Sequence, residues 1–413
     1  MTATAPDSDG SRLLTSRDVG PLLEAAVAHA GGTLITWTLE HVDANPSLST
    51  TATYAARVDW PYGQRTELLG VSARAGGPAD TDVSAEIFAD GEREVAVWLY
   101  PHDPDLPGLP RAAYPESMAE ICNAGQVFDR VVRPSELKLT MIGYRPRRRA
   151  VVEVTDRVGG DVVYVKVLRE HLAKGIVARH RMLIGAGVPV PEIRAVTHDR
   201  LLVLARLPGE PLADAVFRPE APCAAEDLIA LLDAMPAAVA GLERRPSWPQ
   251  SVAHYAGIVA AAVPRLESRL TWLTETIVDG LAGLDPGDEP THGDFHEGQV
   301  HVAHGRVVGL LDVDTIGPGR RADDLACLVA HLSTIQRMND AQTERVHALI
   351  REWVPVFDQR VDPVELRLRA AAVIISLATG PFRGQEPDWE GETSRMIGQA
   401  EALVRQVTGG DTA

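Results

Sequence analysis

The sequence has few of the residues that mark secreted or membrane-spanning chains. Only three of its 413 residues are cysteines, and their spacing matches no metal-binding pattern, so we expect buried, reduced thiols. No apolar run approaches the roughly 20 residues that a transmembrane helix needs, and we expect no membrane partner. The first residues lack a basic start followed by an apolar stretch. No secretory signal is therefore predicted, and the cytoplasm is the expected compartment.

Positive charge is also scarce, because 57 acidic residues face 40 lysines and arginines and give a net charge of −17. This balance argues against general binding of nucleic acid and is compatible with neutral or cationic small molecules. The hydrophobic fraction of 45% and the charged fraction of 23% are those of a globular protein. The length predicts two or three domains.

Residues 291–324 contain the most informative pattern in the chain. A loop with the sequence HGDFHEGQ precedes two short apolar segments, Val300–Val302 and Val307–Leu311, which are predicted to form a hairpin. The second segment runs directly into Asp312 and Asp314. Carboxylates at the end of a buried strand are costly unless they meet a cation or strong hydrogen-bond donors, so we predict a binding site here.

This segment resembles the aminoglycoside-phosphotransferase-like family of small-molecule kinases, which are distant relatives of protein kinases. The family pattern is HGDxHxxN, a strand ending in an Asp-containing motif, a Gly-Pro turn and Asp-Leu-Ala. The matching residues are His292-Gly293-Asp294, His296, Asp312, Asp314, Gly317-Pro318 and Asp324-Leu325-Ala326. Gln299 stands where the family usually has Asn, as in the HGDxHxGQ loop of maltokinases and related sugar kinases.

The resemblance implies an α+β, bilobal kinase-like fold, with an extra β-rich domain before it. The predicted boundaries are a disordered tail over residues 1–15, the β-rich domain over 16–131, the N-lobe over 132–207 and the helical C-lobe over 208–413. The predicted helix Leu228–Ala240 and the final helix Arg395–Val407 belong to the C-lobe.

The resemblance also implies roles for the residues of the catalytic loop. Asp294 would accept the proton of a substrate hydroxyl while ATP or GTP supplies the γ-phosphoryl group. His292 is a candidate catalytic residue beside it, although a role in shaping the loop is favoured. Gln299 and Asp312 would bind Mg²⁺, which prefers oxygen ligands.

The predicted nucleotide-binding residues lie earlier in the chain. Lys166 stands among apolar residues in a predicted strand, VVYVKVL. It matches the kinase lysine that holds the nucleotide phosphates. Arg147 and Arg148 belong to a hairpin sequence, YRPRRR, that could close over phosphates, although a solvated basic tip explains them equally well. The following helix, near His180, lacks the Glu that usually pairs with this lysine.

The acceptor substrate is the least determined part of this interpretation. A sugar, an amino sugar and an aminoglycoside-type compound are all compatible with the loop. Asp314 and His296 are candidate substrate contacts, as are Trp389 and Glu390 in a segment rich in carboxylates, which could equally be a surface loop. The sequence does not predict an oligomeric state.

Two other functions are compatible with parts of the pattern. A nucleotide-binding pseudokinase with a regulatory role would explain the missing helix Glu and Gln299. A metal-dependent hydrolase would use a set of transition-metal ligands, namely His292, Asp294, His296, His301 and His304. The hydrolase is the weaker alternative, because these histidines straddle a predicted hairpin and their side chains should diverge.

Overall fold

The computed structural model describes Asp7 and residues 9–46, 48–75, 85–89 and 93–409. The chain forms two compact units. The first consists of residues up to 174, residues 193–206 and residues 382–387, and the second contains the rest. Within the described residues, no helix combines the length and the apolarity needed to cross a bilayer. The expected cytoplasmic location and the domain boundaries given above stay predictions.

The first unit begins with an antiparallel sheet covered by two helices. The helices are α1 (Ser11–Thr15) and α2 (Gly20–His29). The strands are β1 (Thr33–Asn45), β2 (Ser49–Trp60), β3 (Gly63–Ala75), β4 (Glu86–Ala89) and β5 (Arg93–Leu99), in the order β1-β2-β3-β5-β4. Apolar residues of α2, among them Leu23 and Val27, are fully buried against alternate residues of the central strands, such as Tyr54 and Val71. This alternation is what a sheet with one buried face requires.

The first unit also contains a second five-stranded sheet. Its strands are β6 (Leu137–Arg145), β7 (Arg149–Asp156), β8 (Val162–Leu168), β9 (Ile193–Val196) and β10 (Leu201–Ala205). Their order is β6-β7-β8-β10-β9, which repeats the strand order of the first sheet. The helices α3 (Leu109–Ala113) and α4 (Pro115–Ala124) contribute buried residues to the same core as this sheet. A longer helix, α5 (Glu170–Gly185), lies between β8 and β9 in the chain.

The second unit is mainly helical. Its helices are α6 (Leu212–Ala215), α7 (Ala225–Asp233), α8 (Val252–Ala262), α9 (Glu267–Gly280), α10 (Arg321–Ser333), α11 (Asp340–Arg360), α12 (Pro363–Leu377), α13 (Gly380–Arg383, where the chain leaves this unit) and α14 (Trp389–Thr408). All residues of α12 from Leu368 to Ser376 are buried, so this helix is enclosed by its neighbours. Such all-round burial identifies α12 as the centre of the helical core.

Two small sheets complete the second unit. Strands β11 (Glu210–Pro211), β13 (Val300–Ala303) and β14 (Arg306–Leu310) form one sheet, and β12 (Glu289–Thr291) pairs with β15 (Gly317–Gly319) in the other. The predicted hairpin is therefore present as β13 and β14. The loop that precedes it and the residues that follow it connect the two sheets, which brings the sequence motifs together.

Three predicted elements differ from the structure. The helix predicted over Leu228–Ala240 ends at Asp233, because Pro236 has no N–H to continue the hydrogen-bond ladder. The last helix begins at Trp389 rather than Arg395. Of the predicted disordered tail, residues 1–6 and 8 lie outside the described residues. The part from Ser11 to Thr15 is helical, and the Asp7 carboxylate caps it by accepting two backbone N–H groups.

Candidate functional site

The loop between β12 and β13 is held by backbone geometry as well as by hydrogen bonds. Gly293 has φ of 81°, and an added Cβ would lie 2.8 Å from the carbonyl oxygen of Thr315. A side chain at this position would therefore be strained twice, by its conformation and by a clash. The Thr315 hydroxyl donates to the carbonyl of His292 at 2.8 Å. This close approach explains why the motif has glycine before Asp294.

A fully buried carboxylate anchors the same loop from helix α10. The two oxygens of Asp324 accept the backbone N–H groups of His292 at 2.9 Å and of Gly293 at 2.8 Å. Arg321, itself buried, approaches Asp324 at 3.4 Å. Burial raises the pKa of Asp324, while the nearby His292 and Arg321 act in the opposite direction. These hydrogen bonds connect the loop directly to the Asp-Leu-Ala segment at the start of α10.

His292 occupies a position inside the fold. Its side chain is fully buried, its Nε2 lies 2.8 Å from the carbonyl oxygen of Leu311, and its ring packs edge-on against Phe295. These contacts connect the loop to the end of β14. The geometry therefore favours a role in positioning the loop over direct contact with a substrate.

Asp294 lines a cavity of about 760 Å³ in the second unit. Its side chain is half-buried, and no described residue makes a hydrogen bond or an ion pair with its carboxylate. The cavity has the size that small-molecule sites in proteins usually have. The arrangement presents an unoccupied proton acceptor to whatever molecule enters the cavity.

Gln299 and Asp312 flank the β13–β14 pair at the same end. Val300 pairs with Leu310, and the Leu311 N–H donates to the carbonyl of Gln299 at 2.7 Å. Asp312 follows directly, with a left-handed φ of 50° that few non-glycine residues adopt. The side chains of Gln299 and Asp312 lie at neighbouring ends of two paired strands. An amide oxygen and a carboxylate are ligands that Mg²⁺ prefers.

The side-chain amide of Gln299 is in contact with His296. The Gly298 N–H donates to Nδ1 of His296 at 3.1 Å. Nε2 lies 3.1 Å from the side-chain amide nitrogen of Gln299, so this nitrogen rather than the amide oxygen faces His296. Burial lowers the pKa of His296, and the carboxylates of Asp294 and Asp312 oppose this effect. His296 therefore lies among the three predicted functional side chains.

Two half-buried residues at the site, Glu297 in the loop and His331 on α10, were not identified from the sequence. Glu297 has a buried Oε2 without a hydrogen-bond partner, 3.9 Å from Nδ1 of His296 and 3.8 Å from Nδ1 of His331. Burial raises the pKa of Glu297 to about 7 and lowers that of His331 to about 3. His331 also lies near Asp294 and Cys327. The only sequence signal for this group is the spacing of four residues between Cys327 and His331 on α10.

The group formed by His296, Glu297 and His331 has the side chains of a transition-metal site but a poor geometry for one. The two imidazole rings are stacked, with centroids 4.2 Å apart and planes within 8°. Ring nitrogens bind metals in the plane of the ring, so parallel rings cannot both point at one ion without rotating. The stack is better described as packing that supports the catalytic loop.

The five residues of the predicted zinc set are not brought together. His301 is buried in β13 and contacts the carbonyl of Pro208 through Nδ1, at 3.1 Å. His304 forms the β13–β14 turn with φ of 52°. Among the described residues, the groups that could hold a metal contain neither of these histidines nor His292. The hydrolase alternative is therefore contradicted, because alternate residues of a hairpin point in different directions.

The predicted nucleotide-binding residues lie in the first unit. Lys166 is half-buried in β8 and points away from the core, which holds its neighbours Val165 and Val167. Arg147 donates through Nε to Asp105 at 3.0 Å and through a terminal nitrogen to Ser72 at 2.8 Å. Its N–H donates to Asp103 at 2.7 Å. These contacts give Arg147 a structural role within the first unit.

Arg148 is exposed and pairs with Asp43 of β1 at 3.3 Å, and Arg383 approaches the same carboxylate oxygen at 3.4 Å. Helix α5, which lacks the Glu expected to pair with Lys166, begins at Glu170. This residue is exposed and pairs with Arg200 at 2.8 Å. Neither pair is buried, so neither contributes much to stability.

The remaining predicted substrate residues do not line the cavity that contains Asp294. Asp314 is half-buried in a short 3₁₀ segment after Asp312, and His296 stacks on His331. Trp389 and Glu390 begin α14, and Glu390 is 3.6 Å from Arg265. The cavity is instead lined by residues of the segment before α8, the end of α9 and the β12–β15 sheet.

Comparison with known proteins gives a family match over the region that contains the site. A family model described as "Phosphotransferase enzyme family" matches residues 150–358, about half of the chain. Among curated proteins, none matches the sequence significantly.

Solved structures of small-molecule kinases resemble the chain at low identity. A choline kinase from Cryptosporidium parvum is 11% identical over 71% of this chain and 96% of its own, with a TM-score of 0.47. A choline/ethanolamine kinase family protein from Mesorhizobium loti is 17% identical over 64% and 87%, with a TM-score of 0.46. A thermostable mutant of aminoglycoside phosphotransferase APH(4)-Ia, in a ternary complex with ADP and hygromycin B, is 15% identical over 67% and 95%, with a TM-score of 0.43.

Proposed function

The chain belongs to the phosphotransferase enzyme family, whose members are ATP-dependent kinases of small-molecule hydroxyls, and we propose that Asp294 is its catalytic base. The donor is ATP or GTP, and the acceptor is a sugar, an amino sugar or an aminoglycoside-type compound. The observation that carries this proposal is the free carboxylate of Asp294 in a cavity of about 760 Å³.

The position of Asp294 is suited to base catalysis. A carboxylate that already accepts hydrogen bonds would have to break them before accepting a substrate proton, and Asp294 has none to break. Hydrogen bonds of Asp324, His292 and Thr315 hold its loop in place. Because phosphoryl transfer depends mainly on positioning and electrostatics, a rigid loop contributes directly to the rate.

We propose Mg²⁺ as the cofactor, with Asp312 and Gln299 as the residues that would hold it. Their oxygen donors and adjacent positions support this assignment. Bound Mg²⁺ would neutralise charge on the nucleotide phosphates. The nitrogen of the Gln299 amide is the atom in contact with His296, which leaves the amide oxygen available to the metal ion. Asp314, two residues after Asp312 in the sequence, is a further carboxylate beside this position.

Lys166 is proposed to contact the nucleotide phosphates. Its side chain lies on the half-buried face of a central strand, opposite the face that packs in the hydrophobic core. Arg148 is proposed as a weaker contact, since it is exposed and pairs with only one carboxylate. For Arg147, the contacts with Asp105 and Ser72 support a structural role instead.

Replacement of Asp294 by Asn tests the proposal. The variant keeps the shape of the loop and removes the proton acceptor, so turnover should fall by about 10²–10⁴-fold while the affinity for ATP stays nearly unchanged. Turnover is measured as ADP release with a panel of sugars, amino sugars and aminoglycosides, and nucleotide affinity by calorimetry. Asp340→Asn, at an exposed aspartate that begins α11, is the matched control.

Full turnover of Asp294→Asn on the best acceptor would show that another group accepts the proton. If the wild-type protein binds ATP but phosphorylates no acceptor in the panel, the pseudokinase alternative replaces the kinase.

A further inference from the structure

The cavity that contains Asp294 has one apolar wall with two aromatic rings. Trp248 and Tyr255 pack with centroids 5.8 Å apart at 44°, and both line the cavity. Further apolar side chains on this wall are Val278, Leu281 and Leu284. Aromatic faces bind the apolar face of a ring-shaped ligand, so the wall is suited to a cyclic acceptor rather than to an extended one.

The three carboxylates that line the cavity differ in their partners. Asp323 is paired with Arg369 at 2.5 Å and also accepts the Arg320 N–H at 3.2 Å. Asp285 accepts the Gly287 N–H at 2.8 Å within its own turn. Asp294 is the proposed acceptor of the proton of the reacting hydroxyl. Of these three carboxylates, only Asp323 has an ion pair with a described residue.

The arginines of the cavity differ in the same respect. Arg369 is paired with Asp323 and with Glu365 at 2.7 Å. Arg244 donates to the carbonyls of Pro286 and Pro318 at 3.1 and 3.3 Å. Arg245 is exposed and has no hydrogen bond or ion pair with any residue of the described ranges. One guanidinium group in the cavity is therefore available to a ligand.

We propose that the acceptor is a hydroxylated ring with an anionic substituent, a carboxylate or a phosphate, that Arg245 binds. This inference rests on the proposed function and narrows its substrate class. The planar guanidinium donates two parallel hydrogen bonds to either oxyanion group. The ring packs on the wall formed by Trp248 and Tyr255, and one of its hydroxyls faces Asp294. Arg245 is thus a specificity-determining residue.

The test compares four probes that share one ring: glucose, glucosamine, glucuronic acid and glucose 6-phosphate. Binding is measured by calorimetry on the Asp294→Asn protein without nucleotide, so that it does not depend on turnover. One of the two anionic probes should bind roughly 10- to 100-fold more tightly than glucose, the range expected for a charged hydrogen-bonded pair. The stronger of the two identifies carboxylate or phosphate as the substituent.

Substitutions at Arg245 then test whether this residue is the cause. In the Asp294→Asn background, Arg245→Gln should abolish the preference for the anionic probe, and Arg245→Glu should favour glucosamine instead. Arg405→Gln removes the same charge from an exposed position on α14 and should leave the preference intact.

Equal or weaker binding of both anionic probes relative to glucose overturns the inference, as does a preference that survives Arg245→Gln. Failure of the proposed function looks different: the wild-type protein would phosphorylate none of the probes even where binding shows the predicted preference.

Discussion

Replacement of Asp324 by Asn should uncouple the catalytic loop from helix α10. The native carboxylate is fully buried and satisfies the backbone N–H groups of His292 and Gly293 at 2.9 and 2.8 Å. Asn has the same shape but only one oxygen, so one of these N–H groups would face an NH₂ group. A buried donor without a partner costs about 1–3 kcal/mol.

Arg321 adds to the expected cost. It is buried and 3.4 Å from Asp324, although Asp233 lies 3.3 Å away on its other side and retains part of the charge balance. The loss of the Asp324 charge also removes the burial penalty that raises its pKa, which offsets part of the effect. We therefore expect the free energy of unfolding to fall by about 2–4 kcal/mol, within the range for broken buried pairs.

The effect of Asp324→Asn can be measured both on thermal stability and on turnover. The midpoint of thermal unfolding should fall by roughly 5–10 °C, and turnover should fall by about 10²-fold, because a displacement near 1 Å of a catalytic group has this effect. Calorimetric melting and steady-state kinetics measure the two. Asp340→Asn provides the control. An Asp324→Asn protein that melts within 1 °C of the wild type and turns over normally would refute the role of this carboxylate, a limit set by the about 2–4 °C per kcal/mol scale.

Three further substitutions test other parts of the site. His331→Gln should make stability less sensitive to acid. Burial lowers the pKa of His331 to about 3, so this histidine costs the wild type about 1.4 kcal/mol of unfolding free energy per pH unit as pH falls from 6.5 towards 3. Urea titrations over this pH range should show a smaller loss for the variant. Arg147→Ala should lower the melting temperature and leave the KM for ATP unchanged; a rise of tenfold or more in that KM would instead restore the predicted phosphate contact. Gln299→Asn should change the Mg²⁺ dependence of turnover, and an identical Mg²⁺ titration curve would place Gln299 outside the metal site.

The family and the local elements could be predicted from the sequence. The α+β kinase-like fold is confirmed by the family match, and the β-rich region at the beginning of the chain lies outside the matched residues. The hairpin segments Val300–Val302 and Val307–Leu311 agree with β13 and β14 to within one residue. Both runs are short and contain two valines, a residue type that favours strands.

The walls of the cavity could not be predicted, because they depend on contacts between distant parts of the chain. Arg245 and Trp248 lie in an irregular segment with no hydrophobic period, and Glu297 and His331 meet only after α10 packs against the loop. Trp389 was predicted as a possible substrate contact from composition alone. Composition does not indicate which way a side chain faces, and the structure has this residue at the first turn of α14, outside the cavity lining.

The two sheets of the first unit share one strand order but differ in what lies between their strands. In the second sheet, residues 169–192 separate β8 from β9 and include helix α5. In the first sheet, the ten residues 76–85 separate β3 from β4 in the sequence. β3 also has no lysine, whereas β8 has Lys166. The first sheet therefore has no counterpart of the proposed phosphate contact Lys166, and its surface is open to a different role from that of the second sheet.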